Sequence, residues 1–165
     1  MSKIVFLDVD GTLIDYEAKL PASAAKAVDQ ARANGHKVYI CTGCSKAEIL
    51  QRNLCDLDGM IGGNGAYVED NGHVVMHQGL SKEDVKNIVD WCNERHIGFY
   101  LEANSGMYCN DYMLEQGPET MVKYAKGKGA SLENAKVLLN ILLMVSFIYK
   151  GMSYTVTMLI KSVSF

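Results

Sequence analysis

The chain has 165 residues, of which 48% are apolar and 21% are charged, and its formal net charge is −3. This is the composition of a soluble globular protein that is long enough to bury a core. The weak negative charge gives no electrostatic basis for binding nucleic acid or an anionic membrane, so we expect neither as a partner. The five cysteines are irregularly spaced and no signal peptide precedes the first apolar run, so we expect a reducing, cytoplasmic location.

The N-terminal segments alternate between predicted strands and helices. The apolar run Lys3–Leu7 is typical of a buried central strand. A helix is predicted from Ala22 to Asn34, with Gly35 ending it, and a second strand follows at Lys37–Cys41. A strand, a helix and a strand in this order favour parallel pairing of the two strands.

The next segments extend this pattern. Ser45 and Glu48 have the spacing of a helix capping box, and we predict a helix from there to about Leu54. Met60-Ile61 is a short third strand, and Asn71-Gly72 is a strong signal for a type I′ hairpin. These elements predict an α/β fold with a doubly wound, Rossmann-like parallel sheet.

A second domain is predicted to begin near Leu80, where the composition changes. Ser81 caps a predicted helix that runs to about His96, and a strand pair is predicted at Phe99–Glu102 and Met107–Asn110. The chain thus divides into an incomplete α/β core, a partial α+β cap and a mostly apolar tail, over residues 1–80, 81–136 and 137–165.

The sequence Asp8-Val-Asp-Gly-Thr12 carries the strongest chemical signal. Two carboxylates at positions i and i+2, here Asp8 and Asp10, point to the same side of a continuing strand. At the carboxyl end of a parallel strand they would project into the crevice in which α/β proteins bind ligands. Two close carboxylates favour a divalent cation such as Mg²⁺, and Gly11 lets backbone N–H groups approach an anion. A solvated surface turn is the alternative, which the preceding buried strand disfavours.

The surrounding residues resemble a known family. Phe6-Leu-Asp-Val-Asp-Gly-Thr-Leu13 resembles the first motif of the haloacid dehalogenase-like hydrolases, and Thr42-Gly43 resembles their second motif. Residues 61–66 are similar to the core-to-cap linker of the Cof-type branch, which carries a type IIB cap. Residues 101–106 and Asn110-Asp111 are similar to that cap.

The resemblance implies Mg²⁺-dependent hydrolysis of small phosphate esters such as phosphosugars, so the expected partner is a small phosphorylated metabolite. By the family's mechanism, Asp8 would attack phosphorus and form an aspartyl-phosphate, and Asp10 would protonate the leaving oxygen and then activate water. Mg²⁺ would bind the Asp8 carboxylate and the Asp10 backbone carbonyl. Thr42 and the backbone N–H groups around Gly11 and Gly43 would hold the phosphoryl oxygens.

The chain departs from the family pattern in two places. Where the family usually has Thr-Gly-Arg, Cys44 replaces the arginine, which changes a contact expected with the substrate or the cap. After Lys136 there is no counterpart of the family's later lysine or of its Gly-Asp…Asn-Asp motif. Loss of one preorganised charge partner lowers a rate by ~10²–10³-fold, so we expect very low activity from the chain as written. A non-catalytic fragment or pseudoenzyme that keeps the phosphate-binding geometry is the alternative.

Two further alternatives remain open at this stage. Cys41-Thr-Gly-Cys44 has the spacing of a thioredoxin-like redox pair, although neither Pro21 nor Pro118 precedes a strand suited to a cis turn. The apolar run Val137–Tyr149 is a candidate membrane anchor, but it is shorter than the ~20 residues that span a bilayer. We favour two unreactive thiols and no membrane segment.

The apolar tail differs sharply from the family-like segment that ends at Lys136. Translated in a shifted frame with permitted codons, Tyr154–Ser164 give a sequence similar to that with which Cof-type proteins re-enter the core. We therefore predict that the tail is a reading-frame artefact and that the functional protein continues past residue 165 with the missing acidic motif. Because an incomplete sheet leaves an edge and a helix face uncovered, we also expect self-association through exposed apolar surface.

Overall fold

The computed structural model describes residues 1–15, 17–113 and 115 of the chain. The chain divides into two compact units, of which the first is Met1–Gln78 and the second begins at Gly79. The division falls beside Leu80, where the sequence analysis placed a domain boundary. The end of the predicted cap and the whole apolar tail lie outside the described residues.

A five-stranded sheet dominates the first unit. Its strands in spatial order are β1 (Ile4–Leu7), β2 (Lys37–Cys41), β3 (Gly59–Gly62), β4 (Tyr67–Asp70) and β5 (His73–His77). The first three strands are parallel, whereas β4 pairs antiparallel with β3 and with β5. Helix α1 (Ala22–Ala33) connects β1 to β2, and helix α2 (Lys46–Leu50) lies between β2 and β3. The predicted α/β class with a Rossmann-like sheet is confirmed.

Local sequence signals set several of the element boundaries. Helix α1 is followed by Gly35 with a φ of +80°, as predicted. The Ser45 side chain accepts the N–H of Glu48 while the Glu48 carboxylate accepts the N–H of Ser45, so the predicted capping box forms. Asn71 and Gly72 have φ angles of +47° and +80°, as a type I′ turn requires.

Helix α2 is shorter than predicted. It ends at Leu50, whereas the sequence indicated a helix to about Leu54. Leu54, Cys55 and Leu57 instead pack against the main core of the first unit. Tertiary burial of these side chains therefore overrides the local helical preference.

Strand β1 also differs from its prediction. It lies at the edge of the sheet that the described residues form, and Ile4 and Phe6 are 61% and 56% exposed. Only Val5 and Leu7 pack against the core. A short apolar run fits an edge strand with one covered face as well as a buried central strand, so the pattern did not distinguish them. The exposed side chains are consistent with the expected self-association, which stays a prediction.

The core of the first unit contains residues from the strands, from α1 and from the loop that follows β1. Its eight buried members are Val9, Leu13, Ile14, Val28, Val38, Ile40, Met60 and Tyr67. Three of these belong to the loop after β1, which carries the predicted catalytic residues. Burial of its apolar side chains therefore fixes that loop onto the sheet.

The described part of the second unit has α+β character. Helix α3 (Lys82–Glu94) precedes an antiparallel pair formed by β6 (Tyr100–Ala103) and β7 (Gly106–Cys109). Val89 and Cys92 of α3 form a core with residues of the strand region. These elements agree with the predicted helix and strand pair to within about two residues, and the cap role of the unit stays a prediction. Among the residues described here, no helix has the length and apolar character that crossing a membrane requires.

Asp58 joins α1 to the parallel strands. Its Oδ2 accepts the N–H of Val38 at 2.8 Å and the Arg32 Nε–H at 3.2 Å, and Lys37 Nζ lies 3.5 Å from Oδ1. The Val38 N–H bond and these two cations hold the pKa of Asp58 below its usual value, against the opposing effect of burial. The ionised carboxylate is thus the form that the folded chain stabilises.

We predict that Asp58→Asn lowers the free energy of unfolding by about 1–3 kcal/mol near neutral pH, because a buried charge-assisted network loses its acceptor. The folded-state pKa lies below the unfolded one, so this stabilisation is present above the unfolded pKa and is lost as the pH falls through the folded pKa. Urea unfolding at neutral and acidic pH measures both effects. Asp56→Asn, at an exposed carboxylate, is the matched control. Equal losses in the two variants would contradict the role of Asp58.

Candidate active site

The loop after β1 presents two carboxylates on either side of a buried anchor. Val9 is 0% exposed, whereas Asp8 and Asp10 are both exposed. The N–H groups of Leu13 and Ile14 donate to the Val9 carbonyl at 3.1 and 3.0 Å and close the loop. This alternation of exposure agrees with the prediction that the two carboxylates lie on the same side of the chain.

Gly11 takes a backbone conformation that favours glycine. Its φ is +79°, and its N–H donates to the Ile14 carbonyl at 2.9 Å. The glycine therefore allows the chain to turn back onto itself, and its own N–H is used within the loop. A role of the N–H groups around Gly11 in holding phosphoryl oxygens stays a prediction.

The second predicted motif lies at the end of the neighbouring strand. Leu7 of β1 pairs with Ile40 of β2 in parallel register, so Asp8 and Thr42 both follow the carboxyl ends of adjacent strands. Thr42 is buried, and its Oγ1 accepts the N–H of Cys44 at 3.1 Å. The predicted phosphate-binding residues thus lie at the carboxyl ends of the parallel strands, where α/β proteins bind ligands.

Asn64 is a residue of this region that sequence reasoning treated as part of a flexible linker. It has a φ of +53°, and its N–H donates to the Thr42 carbonyl at 3.3 Å. Its Oδ1 lies 3.0 Å from the position that a Cβ at Gly43 would occupy. Gly43 therefore makes room for the Asn64 amide. The only sequence signal for the role of Asn64 is that asparagine tolerates the left-handed backbone region.

Arg52 is the second residue that sequence reasoning missed. Its Nη1–H donates to Asp10 Oδ1, and its Nη2 lies 3.3 Å from the Cys44 Sγ. The Cys44 Sγ lies in turn 3.8 Å from Asp10 Oδ2. The three side chains therefore form one cluster beside the predicted catalytic loop. No motif marks Arg52, because it follows α2 and reaches the site only through the tertiary fold.

Burial sets the protonation of Cys44. Removal from water and, second, the charge of Glu48 raise the pKa of the Cys44 thiol to about 11, although Arg52 opposes the shift. The thiol is therefore neutral at physiological pH. A neutral, partly buried thiol is a poor nucleophile, which disfavours the redox interpretation of the Cys41–Cys44 spacing.

The donor set fits part of a magnesium site. Asp8 and Asp10 offer carboxylate and carbonyl oxygens, the ligand type that Mg²⁺ prefers. Within the described ranges, no group of three or more His, Cys, Asp or Glu side chains could hold a metal ion. These two residues therefore supply a partial coordination shell, and their assignment as ligands stays a prediction.

The comparisons with known proteins bear on this arrangement. A sequence model of the haloacid dehalogenase-like hydrolase family matches residues 5–150. The chain belongs to this family. The match covers the first and second motifs and continues past Lys136, into the segment for which no family likeness was predicted.

Relatives within the family include phosphatases. The 5-amino-6-(5-phospho-D-ribitylamino)uracil phosphatase YwtE of Bacillus subtilis is 31% identical over 114 residues, which are 68% of this chain and 37% of that protein. The chain spans less than half the length of the curated relatives it matches.

Solved structures of family members also resemble the chain. A phosphatase from Bacteroides thetaiotaomicron is similar with a TM-score of 0.61 and 28% identity, over 73% of this chain and 46% of that one. A sugar phosphatase of subclass IIB is similar with a TM-score of 0.52 and 30% identity, over 66% of this chain and 44% of that one. The predicted membership of the family's Cof-type, subclass IIB branch is confirmed.

We predict that Cys44 is alkylated by iodoacetamide at about pH 8 far more slowly than Cys41. Cys41 is exposed, whereas a thiol pKa of about 11 leaves Cys44 with roughly 10⁻³ of its population as thiolate. Peptide mapping by mass spectrometry after timed quenching gives both rates in one sample. Comparable rates at the two cysteines, or a disulfide between them in protein purified without a reductant, would revive the redox interpretation.

Proposed function

We propose that this chain is part of a Mg²⁺-dependent phosphatase that hydrolyses small phosphate esters through an aspartyl-phosphate on Asp8. The observation that carries the proposal is the pair of exposed carboxylates flanking buried Val9, with Thr42-Gly43 following the adjacent parallel strand. Membership of a hydrolase family with phosphatase relatives supports the same reaction.

The reaction proceeds in two displacements at phosphorus. In the first, an Asp8 carboxylate oxygen bonds to phosphorus, the bond from phosphorus to the ester oxygen breaks, and Asp10 gives its proton to that leaving oxygen. In the second, Asp10 takes a proton from water as the water oxygen bonds to phosphorus. Inorganic phosphate leaves, and Asp8 is restored as a carboxylate.

Electrostatics makes a cation necessary at this site. An Asp8 carboxylate approaches a phosphate dianion only if the negative charge of both is offset. Mg²⁺, held by the Asp8 carboxylate and the Asp10 backbone carbonyl, would supply this charge as a Lewis acid. Thr42 retains a hydroxyl hydrogen for a phosphoryl oxygen, since its Oγ1 accepts the Cys44 N–H.

The names of two relatives support a proposal for the substrate class. One of them is named for a phosphorylated ribitylamino compound and another as a sugar phosphatase. We propose a phosphorylated sugar or sugar alcohol as the substrate of the functional protein. The phosphate group is the part that the described residues would bind.

We predict that Asp8→Asn abolishes Mg²⁺-dependent hydrolysis of an aryl phosphate, with a loss of at least about 10³-fold, while the fold is retained. Asp29→Asn, at an exposed carboxylate of α1, is the matched control and keeps the wild-type rate. Initial rates with and without Mg²⁺ and circular dichroism provide the measurements. Asp10→Asn is expected to lose turnover but still to accumulate phosphorylated Asp8 from a substrate with a good leaving group.

The alternative function has its own outcome in the same experiment. A chain that binds inorganic phosphate with micromolar to millimolar affinity, but shows no turnover above background, would be a non-catalytic phosphate-binding protein. An Asp8→Asn variant as active as wild type would refute the assignment of the nucleophile.

A further inference from the structure

Arg52 provides a cation that touches the predicted acid/base. Its Nη1–H donates to Asp10 Oδ1, and the Arg52 side chain is only 19% exposed, compared with 54% for Asp10. Partly burying a guanidinium carries a desolvation cost, which the neighbouring charges of Asp10 and Glu48 oppose. Arg52 is therefore the less exposed partner of the contact, and it restrains the more exposed carboxylate of Asp10.

The route by which Arg52 reaches the site is defined by α2. The Arg52 N–H donates to the Ile49 carbonyl at 3.0 Å, which holds its backbone in the turn after the helix. The helix itself begins at the Ser45–Glu48 capping box, directly after the second motif. A short, capped element thus fixes the distance between the second motif and the guanidinium.

Cys44 makes room for this arrangement. The Cys44 Sγ lies 3.3 Å from Arg52 Nη2 and 3.8 Å from Asp10 Oδ2, so both groups contact the small side chain. A longer side chain at position 44 would occupy the space that the guanidinium fills. Arg52 is therefore packed against Cys44, the residue that departs from the family's Thr-Gly-Arg pattern.

We propose that Arg52 is the positioning residue of Asp10, and that the small side chain of Cys44 lets its guanidinium reach the carboxylate. The role rests on the proposed function, because Asp10 matters only as the acid/base of phosphate-ester hydrolysis. The bond to Oδ1 restricts the rotation of the Asp10 carboxylate. The other oxygen is then held for the leaving group and, in the second displacement, for water.

Steady-state kinetics with Mg²⁺ and an aryl phosphate test this role. Arg52→Gln is expected to lower kcat by about 10²-fold with KM within about twofold of wild type, because a misplaced catalytic group costs rate and not binding. Arg52→Lys restores the charge but not the planar fork, and recovers part of kcat. Arg95→Gln, at an exposed arginine of the second unit, keeps wild-type kinetics.

A swap of the two positions separates positioning from general stability. In Cys44→Arg with Arg52→Gln a guanidinium is supplied from position 44, whose side chain also lies beside Asp10, and kcat is expected to recover at least about tenfold over Arg52→Gln alone. Thermal unfolding of every variant shows whether a loss reflects misfolding. If Arg52→Gln does not fold, the folded Arg52→Lys variant still decides, because full wild-type activity in that variant overturns the proposal.

The failures of the two proposals look different. If Arg52→Gln keeps the wild-type kcat while Asp8→Asn is inactive, the role of Arg52 is wrong and the proposed function stands. If Asp8→Asn is as active as wild type, both are overturned. A rise in KM with unchanged kcat would show Arg52 as a substrate-binding residue instead and would also overturn the positioning role.

Discussion

The candidate active site depends on the burial of Val9 between two exposed carboxylates. Placing Asp8 and Asp10 next to each other is electrostatically unfavourable, and a flexible loop would let them separate. Val9 is 0% exposed, and fully burying a valine side chain contributes about 1.5–3 kcal/mol. Leu13 and Ile14 add further burial at the other end of the loop. The hydrophobic effect thus holds in place a pair of charges that would otherwise repel.

The loop after β2, which carries Thr42 and Gly43, is held by backbone hydrogen bonds. Its backbone is tied to β3 and to the segment after it by three bonds, from Thr42 N–H to the Ile61 carbonyl, from Gly63 N–H to the Cys44 carbonyl and from Asn64 N–H to the Thr42 carbonyl. Backbone bonds of this kind leave the side chains free for a ligand. The two loops therefore combine an apolar anchor with a polar one on adjacent parallel strands, and rigid support of this kind is what a catalytic site requires.

The sequence predicted the features that local physics determines. Three predicted features depend only on neighbouring residues. The capping box at Ser45 and the turn at Asn71-Gly72 form as expected, and Asp8 and Asp10 are both exposed as their spacing predicts. The early end of α2 and the edge position of β1 depend on which distant residues cover a side chain. Arg52 was missed for the same reason, since it lies eight positions after Cys44 and the intervening helix brings it back to that residue.

The arrangement of charges explains how a metal ion and an arginine can share Asp10. In the family's mechanism the metal takes the Asp10 backbone carbonyl, whereas Arg52 bonds the side-chain Oδ1, so the two cations use different atoms of one residue. Lys46 is not placed to share Asp10 in this way, because its Nζ bonds the hydroxyl of Tyr67 and the carboxylate of Glu69. A phosphate dianion beside Asp8 and Asp10 needs more than one compensating positive charge. Arg52 places one positive charge beside Asp10, at an atom that the metal would not use.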